Sequence, residues 1–284
     1  MSQLANPLAP PCAESPSLRL FLNAFHIDRL EPPRLLLAQV GEAFSRLPYE
    51  NLTKIIKAAA CGSIEEARRQ PAEVLSDHVA LGTGGTCFSL TATLLHLVRA
   101  LGWQAEPILA DRPYGPDTHC ALLVWIDGKP HLIDPGFLIT SPVPLPTETE
   151  VRIPTAFNVI LLRPREGGRR VELHTVQQGQ QTLRLTFKIA PVDAAEFLRV
   201  WDQSFDWDMM NYPLLTRVTE GRQLFLNKNR LQVRSTAMVQ RVEVDPSALA
   251  EKIEREFGIA SAVSTRALEV LKRKGVRIGG TGTS

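Results

Sequence analysis

The chain has 284 residues, 44% hydrophobic and 22% charged, enough to bury a sizeable core in one or two domains. Its formal charge of +2 gives no electrostatic case for a nucleic-acid partner, and no apolar run approaches the ~18 residues of a membrane span. The four cysteines, Cys12, Cys61, Cys87 and Cys120, form no C-x-x-C pair and no disulfide-like spacing. With no basic-then-apolar leader before Pro16, the expected location is the cytoplasm, where thiols stay reduced.

The first hundred residues carry helical spacing. Leu36, Leu37, Val40, Phe44 and Leu47 recur along 34–47, and Ser63 with Glu66 makes a capping box before a second stretch. A helix is predicted from Cys87 to Leu101, with Leu90, Leu94, Leu97, Val98 and Leu101 as its apolar face and Gly102 as its stop. Beyond Gly102 the pattern turns to strands. Residues 120–126 and 130–133 flank Asp127-Gly128, a strong two-residue hairpin signal. Strands at 158–162, 171–176 and 182–189 follow a Pro-rich connection over 141–154, and their spacing suggests a small antiparallel barrel. The last third mixes a helix capped by Asp193 and Glu196, a hairpin turning at Glu220-Gly221, and a helix opened by Asp245-Pro246 and stopped at Gly258. The basic Lys272-Arg273-Lys274 reads as a solvated, frayed end.

The chemistry concentrates in Thr83-Gly84-Gly85-Thr86-Cys87-Phe88. Two glycines allow a tight backbone approach ahead of the helix. Cys87 falls at the helix N-terminus, where free N–H groups and the dipole favour a thiolate and can also serve an oxyanion. No Gly-Lys-Ser/Thr follows, so this is not a phosphate loop. Taken alone, the segment reads more readily as a buried structural cysteine than as a nucleophile.

The hairpin changes that balance. With Asp127 and Gly128 as the loop, Ala121 lies opposite Asp134, so His119 and Asp134 share a face as diagonal neighbours about 7–8 Å apart at the backbone. A carboxylate there can fix the tautomer of an imidazole that takes a proton from Cys87. The register does not say how Cys87 meets that face. His26, His78 and His96 fall in helical stretches, His131 has the wrong parity, and His174 sits in a later strand. Cys120 should point to the other side of its strand, toward the core. No close Cys or His pair anchors a metal, so none is expected.

At these residues the chain resembles the arylamine N-acetyltransferase family. The likeness is carried by Leu47-Pro48-Tyr49-Glu50-Asn51-Leu52, Gly84-Gly85-Thr86-Cys87-Phe88, Thr118-His119-Cys120-Ala121-Leu122-Leu123-Val124 and Asp134-Pro135-Gly136-Phe137, in the family's order. The resemblance implies an α+β fold with a cysteine-protease-like (transglutaminase-like) catalytic core. A helical domain over 1–102 would carry the nucleophile, an antiparallel β-barrel over 103–190 the His and Asp, and an α/β lid would span 191–284. It also implies a ping-pong reaction: Cys87, in a triad with His119 and Asp134, takes an acetyl group from acetyl-CoA as a thioester and passes it to an arylamine-like amine. By matching position, Tyr49 and Phe137, with Gly136, line the acceptor pocket, and Gly84 and Gly85 form the backbone of the nucleophile loop. The expected partners are thus a small-molecule amine and an acyl-CoA, with no nucleic acid and no membrane.

Departures from the family pattern accompany the likeness. Thr83 stands where the family has an Arg paired to the Glu of the first motif, which leaves Glu50 in need of another cation. Arg46 and Lys54, each four residues away, are the candidates. Leu138 replaces a family Gly and should crowd the approach to the pocket. The interval from Cys87 to His119 is short, and 211–213 differ on the side that should face the lid. Two further readings keep the same residues. One is an amide synthase or thiol hydrolase acting on a tethered or carrier-bound acyl group; the other is a non-catalytic scaffold with a fossil triad.

Overall fold

The computed structural model describes residues 6–12, 14–137 and 139–279, so Leu138 lies outside the described residues. The first helices begin where the capping chemistry directs. Ser15 accepts the Leu18 N–H at 3.2 Å ahead of α1 (Pro16–Ala24), and proline opens α2 (Pro33–Phe44). After the short strand β1 (Tyr49–Glu50) comes α3 (Leu52–Ala60). Ser63 then accepts the Glu66 N–H at 3.2 Å to cap α4 (Ile64–Ala67), and α5 (Pro71–Leu81) ends at Gly82 with φ 70°. His26, expected in a helix, instead sits in a turn with φ 55°.

The predicted long helix is α6 (Cys87–Ala100), and it buries far more than the apolar stripe read from its sequence. It packs against α1 and α5 on one side and the first strands of the large sheet on the other. Its buried hydroxyls are satisfied locally. Thr93 Oγ1 donates to the Ser89 carbonyl at 2.7 Å, and Thr91 Oγ1 to the Cys120 carbonyl at 3.4 Å. A helix enclosed on all sides holds its first residue, Cys87, at a fixed place.

Eight strands follow: β2 (Ala105–Arg112), β3 (Gly115–Ile126), β4 (Lys129–Asp134), β5 (Ile139–Pro144), β6 (Val151–Pro154), β7 (Val159–Arg165), β8 (Arg170–Gln177) and β9 (Gln180–Lys188). They form a curled antiparallel half-barrel in the order β5-β4-β3-β2-β9-β8-β7-β6. Asp127 and Gly128 take φ 51° and 73° in the β3–β4 turn, and pairing runs from Ile126↔Lys129 to Leu122↔Ile133, the register that a two-residue loop predicts. The Pro-rich connection is not a loop throughout: its ends form β5 and β6, the two edges of the sheet, where proline interrupts no ladder. Most of β2 is buried on both faces, so it lacks the alternation that would mark it in sequence.

Asp193 accepts the Glu196 N–H at 2.8 Å and caps α7 (Ala194–Gln203). The hairpin of β10 (Leu214–Thr219) and β11 (Arg222–Asn227) turns at Glu220-Gly221, as its sequence indicates. β12 (Arg230–Arg234), β13 (Val239–Glu243), α8 (Leu249–Phe257) and α9 (Ser261–Arg273) complete the chain. Lys272 and Arg273 form the last turn of α9, where cations suit the helix dipole, rather than a frayed end. The second sheet runs β1-β10-β11-β12-β13, with Tyr49 opposite Thr216, so the segment around Tyr49 is stitched to the C-terminal third.

One apolar core gathers α1, α2, α6 and α7 around Phe88 and Trp201, another fills the half-barrel around Phe187, and a third lies under α8 and α9. Each large side chain so buried contributes roughly 1.5–3 kcal/mol. Among the described residues no helix is long and apolar enough to cross a membrane.

Candidate active site

Each residue of the first motif has a separate structural task. The Pro48 carbonyl accepts the Gly85 N–H at 3.3 Å, and the Glu50 N–H donates to the Gly85 carbonyl at 3.0 Å, tying the Gly84-Gly85 loop to β1. This contact explains the glycines. A Cβ on Gly84 would collide with the Pro48 carbonyl, and one on Gly85 with the Ser89 hydroxyl. Asn51 Nδ2 donates to the carbonyls of Met209 and Tyr212, at 2.5 and 2.8 Å, and Asn51 Oδ1 accepts the Leu214 N–H at 2.9 Å. The strand carrying Tyr49 is therefore held from both sides.

Glu50 is fully buried, and its cation is neither Arg46 nor Lys54. Arg46 lies over the Phe25 ring at 5.7 Å, and Lys54 Nζ turns to the Ser204 carbonyl at 2.8 Å. The partner is Arg69, 3% exposed, whose Nη1 stands 3.7 Å from Glu50 Oε1. The same guanidinium donates to the Gly84 carbonyl at 2.5 Å and to Asp77 Oδ2 at 2.7 Å. Arg69 thus supplies the charge that Thr83 does not, and braces the Gly84-Gly85 loop.

His119 and Asp134 are both fully buried, and His119 Nε2 donates to Asp134 Oδ2 at 2.8 Å. The other carboxylate oxygen accepts the Phe137 N–H at 2.9 Å, from the 3₁₀ turn Pro135–Phe137 that follows β4. Both oxygens are thereby fixed, which aims the imidazole. Cys87 lies close enough to this ring for each to shift the other's protonation. Gly136 is seated against both: a Cβ there would come within 2.8 Å of His119 Cε1 and 3.2 Å of Cys87 Cβ.

Electrostatics follow from these contacts. The Cys87 thiol is held well below its ordinary range by a hydrogen bond from Cys120, against the opposing pull of burial and with help from His119. Burial alone would lower the His119 pKa, but the Asp134 charge and hydrogen bond, with Cys87, push it up to about 9. Burial raises the Cys120 thiol, and Cys87 raises it further, so Cys120 remains a donor. Burial also raises the Tyr49 phenol. A thiolate–imidazolium pair is the state this arrangement favours. Among the described residues no three His, Cys, Asp or Glu side chains gather as metal ligands would.

A cavity of about 570 Å³ opens beside these groups, and Tyr49, Gly136 and Phe137 all line it. Gly84 and Gly85 are not among its lining residues. Three features near the site are absent from the sequence reading. Arg69 is one. Cys120 is another: it faces the helical core as its parity requires, yet it reaches Cys87 because α6 starts directly over β3. The third is Arg112, whose Nη2 lies 3.2 Å from His119 Nδ1. Its signal was the turn Arg112-Pro113-Tyr114-Gly115: Arg112 pairs with Gly115 two positions beyond Ala110, the partner of His119.

The sequence profile described as N-acetyltransferase matches residues 36–265. Solved structures are similar in fold. A C70Q arylamine N-acetyltransferase from Mycobacterium smegmatis is 20% identical, with a TM-score of 0.72 over 89% of this chain and 98% of the other. The Mycobacterium marinum enzyme in complex with CoA is 16% identical, with a TM-score of 0.74 over 90% and 98%. An arylamine N-acetyltransferase from Bacillus cereus, described as having a Cys-His-Glu triad, is 18% identical, with a TM-score of 0.69 over 87% and 99%. No curated protein matches the chain in sequence.

Proposed function

The chain belongs to the arylamine N-acetyltransferase family, and we propose from that premise that it moves an acetyl group from acetyl-CoA to an arylamine-like amine through a thioester on Cys87, with His119 and Asp134 completing a catalytic triad. The observation that carries the reading is the placement of Cys87 beside an imidazole whose Nε2 is held by a buried carboxylate at 2.8 Å. In the first half-reaction the Cys87 thiolate attacks the thioester carbonyl. The bond to the coenzyme sulfur breaks, and the departing thiolate takes the proton from His119. The free N–H groups at the start of α6 suit the oxyanion. In the second half-reaction the amine attacks the acyl carbon, His119 takes its proton, and Cys87 leaves as a thiolate.

Tyr49, Phe137 and Gly136 are the acceptor wall in this scheme, and the Gly84-Gly85 backbone sets the height of the nucleophile. Four free cysteines are consistent with a reducing compartment, and the reading places the enzyme in the cytoplasm. Initial rates with both substrates varied test the scheme. Parallel double-reciprocal lines are expected for a ping-pong reaction; intersecting lines would require both substrates to bind before chemistry.

A further inference from the structure

Among the described residues, the cavity beside Cys87 is walled by Arg112, Arg184 and Arg234 and by no aspartate or glutamate. Arg184 and Arg234 spend their hydrogen bonds on neutral groups, and Arg112 stands beside the imidazole. Arg112 Nη2 reaches His119 Nδ1 at 3.2 Å, Arg184 Nε reaches Thr175 Oγ1 at 2.9 Å, and Arg234 Nη2 reaches Gln232 Oε1 at 2.7 Å. On the same wall the buried Nε of Arg112, Nε of Arg234 and Nε2 of Gln177 find no acceptor among the described residues. Every orphaned atom is a donor, and every charge is positive. Arg112 is half-buried and faces the Cys87 charge, while exposed Arg184 and half-buried Arg234 have neutral partners, and this excess of positive charge suits an anion.

Arg112 stands nearest the reacting atoms. Its bond to His119 Nδ1 requires a lone pair on that nitrogen, whereas the thiolate–imidazolium pair requires a proton there. When that pair forms, Arg112 loses this acceptor and is held by the Cys87 charge; once Cys87 is acylated that charge is gone, and the guanidinium is free for another anion. A carboxylate offers two oxygens matched to the guanidinium fork. The phosphates of a coenzyme A do not fit this demand, because the pantetheine arm holds them far from a thioester carbon delivered to Cys87.

We propose that the substrate carries a carboxylate a few bonds from the reacting carbonyl, on the acyl group or on the amine, and that Arg112 is its receptor. The proposal rests on the reading of Cys87 as nucleophile and adds no covalent step to it. The two sources separate in paired assays on wild type, Arg112→Gln and Arg112→Lys. One pair is 4-aminobenzoate against 4-aminobenzamide with acetyl-CoA; the other is succinyl-CoA against butyryl-CoA with phenylhydrazine. One pair should favour its carboxylate by about ten- to a hundredfold in kcat/KM. Arg112→Gln should abolish that ratio and Arg112→Lys restore part of it. Both members of a pair use the same triad, so a general loss of catalysis cancels in the ratio.

Equal rates within both pairs would overturn the proposal. So would an Arg112→Gln variant whose KM rises alike for every coenzyme A donor while the ratio stands, since the arginine would then serve the coenzyme. Absence of any turnover would sink the nucleophile reading instead. In that case calorimetry decides the receptor: benzoate against benzamide and succinate against succinamide, titrated into wild type and Arg112→Gln. Tighter carboxylate binding that is lost in the variant supports Arg112, and equal binding overturns it.

Discussion

Replacing Arg69 by Met removes the cation facing Glu50 while keeping much of the side-chain volume. Glu50 is fully buried, and its remaining partners are the Thr53 N–H at 3.0 Å and the Thr53 hydroxyl at 2.5 Å, both neutral. Leaving one member of a buried pair uncompensated costs about 3–5 kcal/mol. At ~2–4 °C per kcal/mol for a chain of this size, the melting temperature should fall by about 10 °C. Arg69 also donates to the Gly84 carbonyl at 2.5 Å, so the nucleophile loop loosens and alkylation of Cys87 slows at temperatures where the variant is still folded. Adding Glu50→Gln to Arg69→Met discharges the stranded carboxylate and should recover more than half of the lost stability, measured by denaturant titration. A loss below about 1 kcal/mol in the single variant, or no recovery in the double, would refute the claim that Arg69 neutralises Glu50.

Asp134→Asn should keep the fold and lower turnover by about four orders of magnitude, because the amide no longer holds the correct imidazole tautomer; near-wild-type rates in a folded variant would remove Asp134 from the triad. Gly136→Ala places a methyl about where His119 Cε1 and Cys87 Cβ already stand, so it should displace the imidazole and cost ~1–3 kcal/mol by overpacking, read by thermal unfolding beside activity. Brief iodoacetamide treatment with peptide mapping should label Cys87 ahead of Cys12, Cys61 and Cys120. Its rate should stay nearly flat across neutral pH, whereas an ordinary thiol speeds up toward its pKa of about 8.5. Because His119 is raised to about 9, its protonation stabilises the fold fully below the unfolded imidazole value of about 6.5. That contribution fades as pH rises through about 9, which a stability profile against pH detects in wild type and not in His119→Gln.

The His119–Asp134 geometry was legible because it depends on one turn. Asp127-Gly128 tolerates positive φ at both loop positions, the register follows, and parity puts both side chains on one face. The glycine pair was legible for a related reason: no side chain fits where Gly84 and Gly85 meet Pro48 and Ser89. The partner of Glu50 was not. Helical spacing nominated Arg46 and Lys54, but the chain around Glu50 is the strand β1, and the cation arrives through the tertiary fold from the loop after α4. Arg112 escaped for the same physical reason. Its place beside His119 depends on the bulged β2–β3 pairing, and β2 carries no alternation to announce it. The half-barrel edges were hidden by prolines, which ordinarily argue against strands and are tolerated here because β5 and β6 pair on one side only.

Intact-mass measurement after brief exposure to acetyl-CoA, with no amine present, bears most directly on the central claim. The mass should rise by one acetyl group, mapped to Cys87, stable until an amine is added and absent in Cys87→Ala. An unchanged mass, or an acetyl group on any other residue, would contradict it.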